Sequence, residues 1–512
     1  MSPTTPNPTH PDHASTAQAG GDQPGGEQPG GGRVPHRLQR HALHHLHAHT
    51  GERGVVVMPC GSGKTLLGRW LAAQTGAQVT VVFVPSLALV PQTVLAYRSD
   101  TSWAHRTMIV CSDETSGRAV AVDDLDLPAW ARASVTASTS PQTIRGFLGG
   151  GGPARVIVST YHSAPRVAAA LHHGGRSADL VICDEAHRLT GRPRREFRAV
   201  LDDAALPARR RVFLTATPVE AAAWAAEHDP ASDDTDPIAA PLTLDDETVF
   251  GPTLYRAGFG DAVTAGLLVD YDVQVIAHRP GGEHLDAGAA AVLAAAAAGS
   301  TRILTFHSRV AAARGLAEAL HGHQLPDGRR FHGEHVEARH RAARRTAALA
   351  RLADPAPGEV AVLASACTLS EGVDVPAVDT VVFADPRTSP VDIVQAVGRA
   401  MRRAPGKTRG RVVLAVDMDR AGDTDSHAGV DADTELGGSA WRHVWTVLRA
   451  LAAMDERFAA RLREHVRGGG PGTNSTNHGP RESQPTLTLP DGLDVDRFLL
   501  RCLDRTGGPW WT

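Results

Sequence analysis

Residues 58–65 read Met58-Pro59-Cys60-Gly61-Ser62-Gly63-Lys64-Thr65, directly after a β-branched run ending at Val57 and directly before the helical run Leu66 to Ala73. A glycine-rich turn between a strand and a helix is the setting in which a chain cradles phosphate. Gly61 and Gly63 let backbone N–H groups approach the anion, and the helix N-terminus contributes about half a positive charge. Lys64 is placed to reach β- and γ-phosphates, and Thr65 offers a hydroxyl to Mg2+. Pro59, Cys60 and Ser62 complete the loop. The strict pattern has Gly where this chain has Met58. Of 52 Lys+Arg residues only Lys64 and Lys407 are lysine, which leaves 52 − 2 = 50 arginines. A lysine kept here fits a loop that a compact ammonium enters and a broad guanidinium does not.

A second constellation follows the apolar run Leu180 to Cys183: Asp184-Glu185-Ala186-His187. Carboxylates at the carboxyl end of a strand stand where open α/β sheets bind ligands. Asp184 can hold Mg2+ through water, and Glu185 can orient and deprotonate an attacking water. His187 can relay to Thr215 and Thr217 of Thr215-Ala216-Thr217-Pro218, which ends the next apolar run. A third set, Gln395, Arg399 and Arg402, is spaced i, i+4, i+7 and shares one face of a helix.

The elements that must position these groups are legible as short, mostly apolar runs. In residues 33–225 they are Val55 to Val57, Val79 to Val84, Val156 to Val158, Leu180 to Ile182 and Val212 to Leu214. In 270–420 the rhythm repeats with Val273 to Ile276, Ile303 to Phe306, Val360 to Leu363, Val381 to Phe383 and Val412 to Val416. Such strands alternating with helices predict parallel sheets covered on both faces. The expected organisation is a disordered tail over 1–32, a first α/β domain over 33–225 and a connecting segment over 226–269. A second domain over 270–420, a helical extension over 421–467, a linker over 468–490 and a short terminal helix over 491–512 follow. Trp441, Val444, Trp445, Leu448 and Leu451 carry the helical period of the extension.

Composition narrows the classes. A chain of 512 residues with 42% hydrophobic content can bury real cores, and a net charge of −4 excludes a strongly basic surface as the main feature. The five cysteines lie far apart without a CxxC, against a cysteine zinc site or disulfide framework. No apolar run reaches the roughly 20 residues of a membrane helix. No signal-peptide pattern opens the chain. A cytoplasmic protein without membrane association is expected.

In order, MPCGSGKT, FVPSLALVPQT (83–93), VSTYHS (158–163), DEAH (184–187) and TATP (215–218) resemble the motif series of superfamily 2 helicases of the DEAD/DEAH-box type. TFHSRV (305–310), LSEGVDVP (369–376) and QAVGRAMR (395–402) continue it. The resemblance spans about 33–405 and is similar to bacterial helicases with a helicase-associated C-terminal region. It implies two tandem RecA-like parallel-sheet domains with a small C-terminal helical region, and ATP with Mg2+ bound between the domains. It implies Arg399 and Arg402 as arginine fingers, Gln395 near the γ-phosphate, Gly372 and Asp374 near the ribose, and Gln39 as the adenine reader. It also implies nucleic-acid contacts from Pro85, Ser86, Thr160, Ser308, Arg309 and Thr368, mostly to the phosphate backbone.

The expected function is an ATP-dependent nucleic-acid helicase or translocase, with DNA favoured over RNA. Two alternatives stand beside it: a non-unwinding duplex translocase in a restriction or phage-defence complex, and an ATP-gated binding scaffold. Lys64 and Lys407 are preceded two residues earlier by Ser62 and Pro405. The acid-x-lysine pattern of restriction nucleases is thus missing, and any nuclease is expected on a separate subunit. His41, His45 and His49 have metal-ligand spacing, but Leu43 and Leu46 point to an ordinary packed helix with a histidine-rich outer face.

Overall fold

The computed structural model describes residues 33–99, 102–112, 119–217, 242–278, 286–337, 339–340, 342–366, 377–385, 389–418, 439–467 and 484–490. The predicted tail 1–32, the terminal segment 491–512, and the expected site residues Thr368, Gly372 and Asp374 lie outside these.

Eight strands form the first sheet: β1 (Arg53–Val57), β2 (Val79–Val84), β3 (His105–Val110), β4 (Val135–Ala137), β5 (Ala154–Thr160), β6 (Leu180–Asp184), β7 (Arg211–Thr215) and β8 (Thr253–Arg256). Their order is β4-β3-β5-β2-β6-β7-β1-β8. Seven form the second: β9 (Asp270–His278), β10 (Arg302–His307), β11 (Arg330–Val336), β12 (Glu359–Ala366), β13 (Thr380–Phe383), β14 (Arg409–Asp417) and β15 (Thr486–Thr488). Here the order is β11-β12-β10-β13-β14-β9-β15. Every ladder between these strands is parallel. The chain is therefore an α/β protein of two tandem RecA-like sheets.

The physical reason is the one the apolar runs suggested. All six residues of β2 and all seven of β5 are buried, so helices cover both faces. The segment 226–269 is more than a connection, because β8 closes the edge of the first sheet beside β1. The segment 468–490 likewise delivers β15 to the second sheet, where it pairs with β9.

Register sets the site. Val57 of β1 pairs with Thr215 of β7, and Asp184 of β6 pairs with Leu214. The loops leaving β1, β6 and β7 thus emerge side by side at one carboxyl edge. One hydrophobic cluster runs from Leu71 and Val82 through Phe259 to Tyr271 and Phe306, so the two lobes share a core. The helices Ser439–Met454 and Glu456–Arg467 pack around the second lobe, with Trp441, Val444, Trp445, Leu448 and Leu451 all buried.

Candidate active site between the lobes

The loop after β1 turns twice through left-handed backbone: Gly61 at φ 81° and Gly63 at φ 76°. An L side chain there costs roughly 1–2 kcal/mol, so glycine is what the turn requires. Gly63 caps the helix Lys64–Gln74 without a side-chain bond. The first N–H groups of that helix have no carbonyl of their own and face an incoming anion. Gln39 stands behind the loop. Its Nε2 donates to the carbonyls of Ser62 and Gly63 at 3.1 Å each, while its Oε1 accepts from the His36 N–H at 3.0 Å. A ring nitrogen of His36 lies 2.9 Å from the same Ser62 carbonyl. Ser62 Oγ donates to the Pro59 carbonyl at 2.6 Å.

Lys64 is buried, with Nζ 3.3 Å from the Met58 carbonyl and 3.9 Å from Glu185 Oε1. Burial acts against its charge, but Glu185 and Asp184 outweigh it and hold the ammonium above its ordinary pKa. Thr65 Oγ1 donates to Asp184 Oδ2 at 3.1 Å. Asp184 is raised to about 6, first by burial and then by Glu185, against the pull of Lys64. Among the described residues Glu185 is the only non-glycine with positive φ, at 51°. Its Oε2 is buried without a hydrogen-bond partner. The donor set fits a hard cation: a threonine hydroxyl and an aspartate oxygen already 3.1 Å apart, beside a second carboxylate oxygen left unsatisfied.

His187 Nδ1 lies 3.4 Å from Thr215 Oγ1 and 3.5 Å from Glu185 Oε2. Burial lowers its pKa to about 4, so the ring is neutral. Thr215 Oγ1 in turn donates to the Thr217 carbonyl at 3.0 Å and accepts from the Thr217 N–H at 3.2 Å. The acidic pair is thereby joined to the segment leaving the first lobe.

The second lobe meets this loop through the helix Pro390–Ala400, started by Pro390 and capped by Ser389. A Cβ on Gly398 would stand 3.1 Å from Cys60 Cβ, so helix and loop touch directly. Gln395 and Arg399 are buried on this helix. Arg402, just past its end, lays its side chain against Gly61. The negative charge of Glu185 favours the charged form of Arg399. Burial lowers Arg399 to about 10, and Arg402 likewise falls, yet Arg399 stays charged at neutral pH. Burial also pushes the Cys60 thiol up, so it is a neutral filler.

The expected nucleic-acid contacts fall at the carboxyl ends of other strands. Pro85 and Ser86 follow β2, Thr160 ends β5, and Ser308 with Arg309 follows β10. Thr160 is buried and donates to Ser163 Oγ at 3.3 Å, and Ser308 is held by Asp385 at 3.0 Å; Arg309 is exposed. Beside Thr160, Arg166 Nη1 reaches Ser112 Oγ at 2.9 Å, which makes Ser112, Ser163 and Arg166 part of that edge. Sequence reading missed two supporting groups. His36 is marked by its three-residue spacing to Gln39, a capping pattern. Tyr161, whose hydroxyl donates to the Asp184 carbonyl at 2.8 Å, has no local signal.

Two RecA-like lobes, one with a glycine loop and an acidic pair, the other with Arg402 against that loop and Arg399 buried on the helix that touches it, are the helicase-type superfamily 2 architecture. Residues 34–220 match the family described as type III restriction enzyme, res subunit, and residues 289–404 match the helicase conserved C-terminal domain. The chain belongs to the superfamily 2 helicase-type proteins. Curated relatives include the probable helicase A859L of African swine fever virus, 24% identical over 376 residues in the Pretoriuskop isolate and 25% over 381 in the Badajoz strain. Each match covers 72% of this chain and 39% of the relative, so the chain spans about two fifths of their length. Among solved structures, the ATP-dependent Type ISP restriction-modification enzyme LlaBIII bound to DNA shares the fold. Its TM-score is 0.67 at 24% identity, over 92% of this chain and 32% of that one. A nuclease-deletion mutant of the Type ISP enzyme LlaGI in complex with a DNA substrate mimic gives 0.58 at 24% identity, over 88% and 30%.

Proposed function

We propose that this protein is an ATP-dependent nucleic-acid helicase or translocase acting on DNA in preference to RNA. The observation that carries the reading is the contact of Arg402 with Gly61, and of Gly398 beside Arg399 with Cys60, which brings the second lobe's helix onto the Lys64 loop of the first. The loop N–H groups and Lys64 hold the β- and γ-phosphates. Thr65 and Asp184 hold Mg2+, which when bound offsets phosphate charge. Glu185 orients water and takes its proton through Oε2, which makes no hydrogen bond and has the neutral His187 ring 3.5 Å away. Arg399 and Arg402, with Gln395 beside them, stabilise charge that develops on the transferred group. His187, Thr215 and Thr217 pass the state of the site to the linker between lobes. Opening and closing of the lobes then moves a strand held at the β2, β5 and β10 ends.

The test is ATP hydrolysis with single-stranded DNA, duplex DNA and RNA at two salt concentrations, with Lys64→Ala as control. DNA should stimulate the rate, salt should weaken the stimulation because contacts are to phosphates, and Lys64→Ala should abolish it. Absence of stimulation by every nucleic acid overturns the reading. The match to a restriction-enzyme res subunit over residues 34–220 favours a second form of it, a duplex-tracking motor that does not part strands. Such a motor would strip a protein from duplex DNA while leaving a labelled strand annealed.

A further inference from the structure

Away from the nucleotide cleft, we infer that His335, Glu337 and His340 form a binding site for one zinc-class divalent transition-metal ion. His335 is near the end of β11, Glu337 is just beyond that strand, and His340 sits in the turn before the helix Ala342–Ala353. All three are half-buried, and one ligand atom from each lies within 4.8 Å of the others. Among the described residues this is the only such group of three histidine, cysteine or acidic side chains. Glu337 Oε1 and His340 Nε2 are 3.5 Å apart, and the His335 and His340 ring centroids are 5.3 Å apart.

Bonds of about 2.0–2.2 Å in tetrahedral array put ligand atoms about 3.3–3.5 Å from one another. The Glu337–His340 edge already has that length, and since all three ligand atoms lie within 4.8 Å of one another, no edge has to close by more than about 1.5 Å. Two imidazoles with one carboxylate suit zinc and its neighbours better than Mg2+ or Ca2+, which prefer all-oxygen sets. His340 Nδ1 takes only a long 3.4 Å contact from the Glu337 N–H. Metal on Nε2 would shift the ring hydrogen to Nδ1, and only this weak contact would give way.

The histidines of the helix Arg37–Ala48 do not compete for this role. His47 bonds the Leu43 carbonyl at 2.7 Å, His49 just past its end bonds the Arg53 carbonyl at 2.9 Å, and His45 packs beside Tyr255. The inferred ion clips β11 to the turn that follows it. β11 is the edge strand, two places from β10 and its Ser308 end, so the clip orders one end of the second sheet's carboxyl edge.

The experiment titrates the chelator-treated full chain with ZnCl2 by calorimetry and with CoCl2 by visible absorption. One equivalent should bind tightly, with a cobalt d–d band, and zinc should raise the melting midpoint. Outer-shell changes alone cost about 10–100-fold in affinity, so Glu337→Gln and His335→Ala/His340→Ala should lose at least that much. His41→Ala/His45→Ala should bind as the unaltered chain does. Glu337→Gln serves as the readout if the double variant folds poorly. Absence of a tight equivalent, or retention of it at full affinity in Glu337→Gln, overturns the inference.

Discussion

Arg402 of the second lobe lies over Gly61 of the first: a Cβ on Gly61 would stand 3.4 Å from Arg402 Nε and 3.6 Å from its Cγ. The contact joins two points 341 positions apart in sequence (402 − 61) and brings a guanidinium to the rim of a loop built for phosphate. Bare glycine is what permits it, since any side chain at 61 would meet both a strained φ and Arg402.

Removing either guanidinium should therefore strike hydrolysis and spare binding. Arg402→Ala or Arg399→Ala should lower the nucleic-acid-stimulated rate by ~10³–10⁵ while nucleotide affinity changes little. Arg402→Lys should not rescue, because an ammonium lacks the planar fork. Single-turnover hydrolysis beside equilibrium nucleotide binding separates the two effects; an unchanged rate would sink the finger role.

Gln39 commits its donors to two loop carbonyls and its acceptor to His36. On that geometry it holds the loop, so Gln39→Ala should raise KM for ATP and for GTP by the same factor, of order tenfold for two hydrogen bonds. A rise for ATP alone would instead assign Gln39 to reading the adenine base, as the family resemblance implies.

His187 titrates near 4 in the folded chain because it is buried, against an ordinary value of 6.5. Between those values the unfolded chain binds a proton that the folded chain refuses, so stability falls as pH drops from 6.5 toward 4. His187→Asn removes that penalty. Relative to the unaltered protein its stability should gain about 2 kcal/mol on going from pH 7.5 to pH 5. Denaturant midpoints at the two pH values measure this, and a difference that does not change with pH contradicts the assignment.

Arg457 binds Asp455 at 2.8 Å and Asp270 at 3.2 Å, and these carboxylates are 0% and 4% exposed. Arg457→Ala leaves two buried acids without their cation and should cost about 3–5 kcal/mol in chemical unfolding. The exposed pair Arg351–Glu334, at 3.1 Å with Arg351 55% exposed, is the contrast. Arg351→Ala should cost at most about 1 kcal/mol. Equal losses in the two variants would show that burial of the acids is not what matters.

Each local decision could be read along the chain. Val79 to Val84 had to be a covered strand because Thr80 is its one polar residue and both faces are otherwise apolar, and Gly61-Ser62-Gly63-Lys64-Thr65 had to be a turn opening a helix because its glycines and its neighbours allow little else. Strands whose residues carry no such signal were not legible. β11 is rich in His, Glu and Gly because it lies at an edge, and β8 and β15 are short pieces whose only reason to be strands is the partner they find. The sequence by itself determined the loop, the acidic pair and the arginine stripe, since each depends on neighbours within a few residues. Only the tertiary structure decided that Arg402 rests on Gly61, that Gln39 grips the loop from behind, and that Tyr161 braces Asp184. Those are contacts between separately folded segments, and the packing of helices on two sheets, which no local pattern encodes, sets their distances.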